Sequence, residues 1–215
     1  MASIVLVGGG GHARVVLDAV RSRGEHDVVG IVDSQEMVGT DVDGVSVRWT
    51  DADLPRLRAE GIDGCVIAIG SVGDPAARIH TAVLAREAGL PLVTVTHAAA
   101  VVSPSAVLGA GTFVAAGAIV GPGADTGMCV IVNSGAVVDH DCRLGAFVHV
   151  APGAVLSGEV TVGERSHIGT GATVKQGVTI GADTVVGVGS VVVDDLPVGV
   201  VAYGQPCRPV RASGR

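Results

Sequence analysis

Starting at Val102, every sixth residue is aliphatic, and the phase holds without a slip to Val186. The positions are Val102, Leu108, Val114, Val120, Thr126, Val132, Val138, Leu144, Val150, Leu156, Val162, Ile168, Val174, Ile180 and Val186, and only Thr126 is not Val, Leu or Ile. Four residues after each comes a small or β-branched one, among them Ala106, Thr112, Ala118, Cys142 and Ser166. Neither an α-helix nor a simple strand has a period of six. A hexapeptide repeat marks a parallel β-helix. If each hexapeptide is one flat side of a triangular coil, residues eighteen apart stack in the next coil. The aliphatic residue then points inward, and the small one sits at a corner where space is short. Each coil needs neighbours to bury its face.

The composition agrees with a narrow interior. Trp49, Phe113, Phe147 and Tyr203 are the only aromatics, so Val, Ala, Leu and Ile must fill the core. The 33 glycines suit a turn after every short strand. With a net charge of −7 and no basic stripe, a nucleic-acid partner is not expected. Ala88 to Ala124 carries no Asp, Glu, Lys or Arg, but its Gly, Pro and Ser residues interrupt any long apolar helix, so membrane insertion is not expected either. The first residues lack a basic n-region, and the apolar run Ile4 to Val7 is too short for a signal peptide. Cys65, Cys129, Cys142 and Cys207 have no CxxC or zinc-finger spacing and read as free thiols of a reducing cytoplasm.

Residues 1–97 have a different pattern. Strands are expected at Ser3 to Val7, Val28 to Val32, Gly64 to Ile69 and Leu92 to Thr96. Helices are expected at His12 to Arg23, Asp51 to Glu60 and Pro75 to Ala88. Such alternation implies a parallel sheet and a small α/β Rossmann-like domain. A β-helix domain over 98–193 follows, then a closing segment over 194–215 whose tail leaves the register from Val191.

Two stretches could carry chemistry. Gly8-Gly9-Gly10-Gly11 joins a strand to a helix, where backbone N–H groups and the helix N-terminus suit a phosphate. With Ala13 and Asp33 it satisfies a loose dinucleotide fingerprint, but the domain has too few strands for that ligand, and a mononucleotide fits better. A tight turn with no ligand is the plain alternative. His140 falls two residues after the inward Val138 and so should project outward, between Asp139 and Asp141. A neighbouring carboxylate can fix the imidazole tautomer and favour the imidazolium, as a general base requires. A solvated surface histidine has the same spacing. His149 and His167, eighteen apart, should stack on one edge as outward polar residues or as the lining of a groove. No Cys or carboxylate spacing supports a metal ligand set around these histidines, so no metal is expected. Cys142 takes a small inward position, which suits packing better than nucleophilic attack.

These residues together resemble a family. The carriers are Val7-Gly8-Gly9-Gly10-Gly11-His12, Ala68-Ile69-Gly70, His97 with Ser103-Pro104, Asn133 with Asp139-His140-Asp141-Cys142, His149-Val150-Ala151-Pro152-Gly153, and Gly204-Gln205-Pro206. The chain is similar to the hexapeptide-repeat sugar acyltransferases of the sialic acid O-acetyltransferase-like kind, especially to nucleotide-linked amino-sugar N-acetyltransferases. The resemblance implies a left-handed coil, a homotrimer, acetyl-CoA as acyl donor and a nucleotide-sugar substrate. It implies that His140 is the base and Asp141 its partner. It implies a nucleotide-sugar site at Gly9, Gly10, Gly11, His12, Asp33, Gly70 and Ser71, with Asn133 near the acceptor amine. It places His149 by the thioester, with Gly158, His167, Gly169 and Lys175 along the coenzyme. The tail reads Gly-Gln-Pro-Cys where relatives usually carry Gly-x-Pro-Ala. The expected reaction is acetyl transfer to an amine. Its rivals are a sugar hydroxyl as acceptor, a non-catalytic trimeric scaffold and a metal-dependent hydratase.

Overall fold

A computed structural model describes residues 1–214, which form two compact units. One comprises Met1–Ser71 with Pro75–Ala98, and the other Val72–Asp74 with Ala99 onward.

The first unit is an α/β layer. Its elements are β1 (Ala2–Val7), α1 (Gly11–Arg23), β2 (His26–Val32), β3 (Asp41–Val42), β4 (Val45–Trp49), α2 (Leu54–Leu57), β5 (Gly64–Ile67), α3 (Ala76–Glu87) and β6 (Val95–Thr96). The sheet order is β3-β4-β2-β1-β5, parallel apart from the β3–β4 hairpin. Ile4, Val5, Leu6, Ile31 and Cys65 are fully buried at its centre.

Two local expectations need correction, and one hairpin is new. The β3–β4 hairpin was not read from the sequence; it turns at Asp43-Gly44, both at positive φ (48° and 86°), the pairing that a two-residue type I′ loop favours. The helix expected over Asp51 to Glu60 is a 3-10 turn (Asp51–Asp53) closed by a Thr50–Asp53 capping box, then the single turn α2 with Pro55 in its first residues. The strand expected over Leu92 to Thr96 reduces to a bridge between Cys65 and Leu92 and the two residues of β6.

The second unit is a left-handed parallel β-helix with the fifteen-position register at its centre. Two-residue strands recur every six residues and pair in parallel with the strand eighteen residues on, as Ile119↔Val137 and Val137↔Val155 illustrate. One face runs from Val101–Val102 to Val191–Val192, so the register continues one hexapeptide past Val186 rather than ending there. A second face runs from Val107–Leu108 to Thr179–Ile180, and a third from Phe113–Val114 to Val185–Val186. The tail adds an antiparallel hairpin, Val200–Gly204 with Cys207–Ala212, whose first strand lies parallel to Val185–Val186.

Each hexapeptide corner has one residue at positive φ, every sixth position from Gly111 to Gly189, and at one of these corners the residue is Asp141 (φ 58°). Asp enters the left-handed region more easily than most residues because its short side chain bonds locally. Thr126, the exception in the aliphatic column, is buried, and its hydroxyl receives the Gly109 N–H at 3.1 Å and meets the Thr112 hydroxyl at 3.4 Å. The one polar residue in the column is thereby satisfied.

Candidate active site

In the first unit a cavity of about 520 Å³ opens between the end of β1, the start of α1 and the end of β5. Gly10, Gly11, His12, Asp33 and Gly70 line it together with Ser34, Asp51 and Thr81. Gly10 is the N-cap of α1 and has no side chain with which to cap the first turn. The start of a helix, with its backbone N–H groups and the positive end of the helix dipole, suits an anion. Gly9 and Ser71 do not line this cavity. Gly9 instead donates its N–H to the Asp33 carboxylate, whose other oxygen accepts the Ser34 N–H at 2.6 Å. Asp33 therefore holds the glycine turn in shape in addition to facing the cavity.

Gly8 has φ 107°, and a β-carbon on it would lie 2.6 Å from Ile69 Cγ1. A Gly8→Ala variant is expected to lose about 1–3 kcal/mol of stability, seen as a lower urea midpoint. An unchanged midpoint would show that the loop relaxes freely.

His12 packs against Gly70 at the cavity wall; a Gly70 β-carbon would come within 3.3 Å of His12 Cβ. Burial first, and then the Arg78 guanidinium, pull the His12 pKa from 6.5 down to about 4. His12 is neutral at pH 7 and offers the cavity an uncharged hydrogen-bonding ring. Arg78 and Thr81, 2% and 5% exposed, were missed in the sequence. The signal was present: they share the face of α3 that buries Ala82 and Ala85, an unusual place for a cation.

In the second unit His140 projects from a corner, as its register position requires, with its side chain 43% exposed. Its Nδ1 lies 3.0 Å from Asp141 Oδ2. A carboxylate only accepts, so Nδ1–H is the donor and Nε2 keeps its lone pair. The hydrogen bond to Asp141 raises the imidazole pKa, with added pull from Asp139 and Glu159. The two flanking aspartates divide the work, since Asp139 Oδ1 accepts the His140 backbone N–H at 2.7 Å. Cys142 is buried, its thiol donates to the Ser157 carbonyl at 3.2 Å, and burial raises its pKa, which fits a packing role.

Asn133 lies in the second unit and meets His149. Its Oδ1 accepts the Ser134 N–H at 2.8 Å, so its amide nitrogen is the group directed at His149 Nε2, 3.1 Å away. His149 and His167 pair in register with their rings edge to face, centroids 4.8 Å apart. They are only 6% and 7% exposed, less than outward polar residues in open solvent would be. In the column they occupy, Phe113 and Ile131 are buried as well, and Val185 beyond them is half-buried. Lys175 is exposed. Gly169 packs on backbone, since a β-carbon there would be 2.6 Å from the Val186 carbonyl oxygen. Gly158 packs instead beneath the His140 ring. Among the described residues, no group of three or more His, Cys, Asp or Glu is placed to hold a metal ion, and no helix is long and apolar enough to cross a membrane.

Residues 3–81 match the model of the PglD N-terminal domain. Comparison with the curated proteins gave no match. Among solved structures, the chain is similar to PerB from Caulobacter crescentus in complex with CoA and GDP-perosamine, at 47% identity over 98% of both chains and a TM-score of 0.91. A histidine-to-asparagine variant of perosamine N-acetyltransferase from the same organism, with the same two ligands, matches at 46% identity over 98% of this chain and 97% of that one, TM-score 0.91. The acetyltransferase domain of PglB from Neisseria gonorrhoeae, in complex with acetyl coenzyme A, matches at 38% identity over 97% and 98% of the two chains, TM-score 0.90. With that identity along almost its whole length, and a fold built from six-residue rungs, the chain belongs to the hexapeptide-repeat sugar acetyltransferase family.

Proposed function

We propose that this protein transfers the acetyl group of acetyl-CoA to the amine of a nucleotide-linked amino sugar. The observation that carries the reading is the His140 imidazole, half-exposed and oriented through Nδ1 by Asp141, which leaves Nε2 its lone pair. The ligands bound to the similar PerB chain, CoA and GDP-perosamine, support both substrate classes.

In this reading the glycine turn and the N-terminus of α1 hold the diphosphate, while His12, Asp33 and Gly70 face the nucleoside. His140 Nε2 takes a proton from the amine as nitrogen bonds to the thioester carbon. A backbone N–H steadies the oxyanion. The C–S bond then breaks, and the imidazolium returns its proton to the departing sulfur. Asn133, His149, His167, Gly169 and Lys175 belong to the acceptor and coenzyme side. Asn133 would also keep His149 in a fixed tautomer.

The active form in this reading is a homotrimer in the cytoplasm. Val101 and Ile119, paired on one face, are 63% and 41% exposed, apolar surface that association would cover. Buried free thiols at Cys65, Cys129, Cys142 and Cys207 suit a reducing compartment.

The test is thiol release from acetyl-CoA across a panel of nucleotide sugars with and without a free amine. Release confined to the amines supports the proposal; equal release with amine-free sugars would replace it with hydroxyl transfer. Asp141 gives a second check. Its hydrogen bond holds the His140 pKa above 6.5. Because the base works when neutral, its contribution appears as pH rises through that elevated value. In Asp141→Asn the His140 titration, followed by NMR, is expected to move down towards 6.5, and turnover to fall by roughly 10–100-fold, part of what base catalysis supplies. An unmoved titration would remove Asp141 from this role.

A further inference from the structure

We infer that Gly158 is a positioning residue for catalysis: its lack of a side chain is the seat on which the His140 imidazole rests. The inference depends on reading His140 as the base. His140 and Gly158 occupy the same corner position in consecutive coils, in the column Pro104, Pro122, His140, Gly158, Gln176. The coils are tied at this point by the Glu159 N–H donating to the His140 carbonyl at 2.8 Å. A β-carbon on Gly158 would run into the ring itself, closest to Nε2 and Cε1 and 2.8 Å from Cδ2, where real β-carbons keep at least 3.0 Å.

The nature of the obstacle sets this glycine apart. At Gly145 a β-carbon would meet the backbone nitrogen of Glu164 at 2.5 Å, so that glycine lets one coil stack on the next. At Gly158 the nearest atoms are a side chain that can swing. Its φ lies outside the left-handed region, so space alone bars a methyl group. Alanine there would move the ring and leave the coil in place. The preceding coil makes the matching allowance for the partner: a β-carbon on Gly123 would lie 2.5 Å from Asp141 Oδ1. His140 thus leans onto the following coil and Asp141 onto the preceding one, each over a glycine, with 3.0 Å between Nδ1 and Oδ2. The seat fixes the direction of Nε2, the atom that must reach the acceptor.

The experiment compares Gly158→Ala, His140→Ala and the double variant with the wild type. The expected result for Gly158→Ala is a melting temperature close to wild type, an unchanged KM for acetyl-CoA, and a turnover lower by about 10²-fold, the usual penalty for a base displaced by an ångström. The His140 NMR titration in that variant moves down towards 6.5 as the ring leaves Asp141, with Asp139 and Glu159 still nearby. In the His140→Ala background the second substitution changes neither turnover nor melting. Wild-type turnover in Gly158→Ala overturns the inference, as does a raised KM for acetyl-CoA at unchanged turnover, which would make Gly158 part of the coenzyme groove. Should Gly158→Ala fold poorly, the double variant decides: recovery of stability once the ring is gone supports the seat, and continued instability refutes it. If His140→Ala itself keeps full turnover, base catalysis fails as a reading, while the titration in Gly158→Ala still reports on the seat.

Discussion

His140→Ala is expected to lower turnover by about 10²–10⁴-fold, the range that a positioned base supplies. The coil should be undisturbed, because the side chain is 43% exposed and lies outside the aliphatic column. Melting temperature and acetyl-CoA binding should therefore stay near wild type, which separates lost chemistry from lost structure. The size of the effect follows from the acceptor. An amine that attacks a carbonyl must lose a proton, and without His140 water has to accept it. Asp141, 65% exposed, has no second imidazole to orient and cannot replace the base at Nε2. Steady-state kinetics with saturating acetyl-CoA measures the loss. A variant with wild-type turnover would leave the His140–Asp141 pair as a surface ion pair and assign the chemistry elsewhere.

The largest stability effect is expected from Leu156→Ala. Leu156 is fully buried, and its strand pairs with Val137–Val138 on one side and Thr173–Val174 on the other. In a solenoid, a coil contacts only its neighbours. The backbone there is fixed by parallel pairing in both directions, so it cannot close around a void. The lost transfer energy and the cavity together should cost about 2–5 kcal/mol. Urea unfolding followed by circular dichroism reads this as a lower midpoint at an unchanged slope. A cost below about 1 kcal/mol would mean that the interior has slack, contrary to its close-packed column.

Much of this was legible in the sequence, for identifiable reasons. The β-helix was visible because one period governs both the inward column and the pairing distance; once a coil is eighteen residues, His149 must lie beside His167. The His140–Asp141 pair was visible because its members adjoin in the chain. The hairpin at Asp43-Gly44 was passed over although its turn chemistry was present, because two very short strands give little alternation to detect. Asp51 to Glu60 carries a helical pattern, but the cap at Thr50 and the proline at 55 divide it. The burial of His149 and His167 was not legible, since periodicity tells which way a residue points and not what covers it. Arg78 was hidden for a related reason: its effect on His12 joins residues sixty-six apart in sequence, from two different helices. The contact between Gly158 and His140 was only half legible. The sequence places it one coil beyond His140, and only coordinates show the ring lying over it.

The most direct test is the chemical nature of the bond the enzyme makes. The nucleotide-linked amino sugar that supports thiol release, incubated with the protein and acetyl-CoA, should yield a product with one added acetyl group, attached as an amide that hydroxylamine does not cleave. A hydroxylamine-labile ester, or release of thiol with no acetylated sugar, would contradict the account.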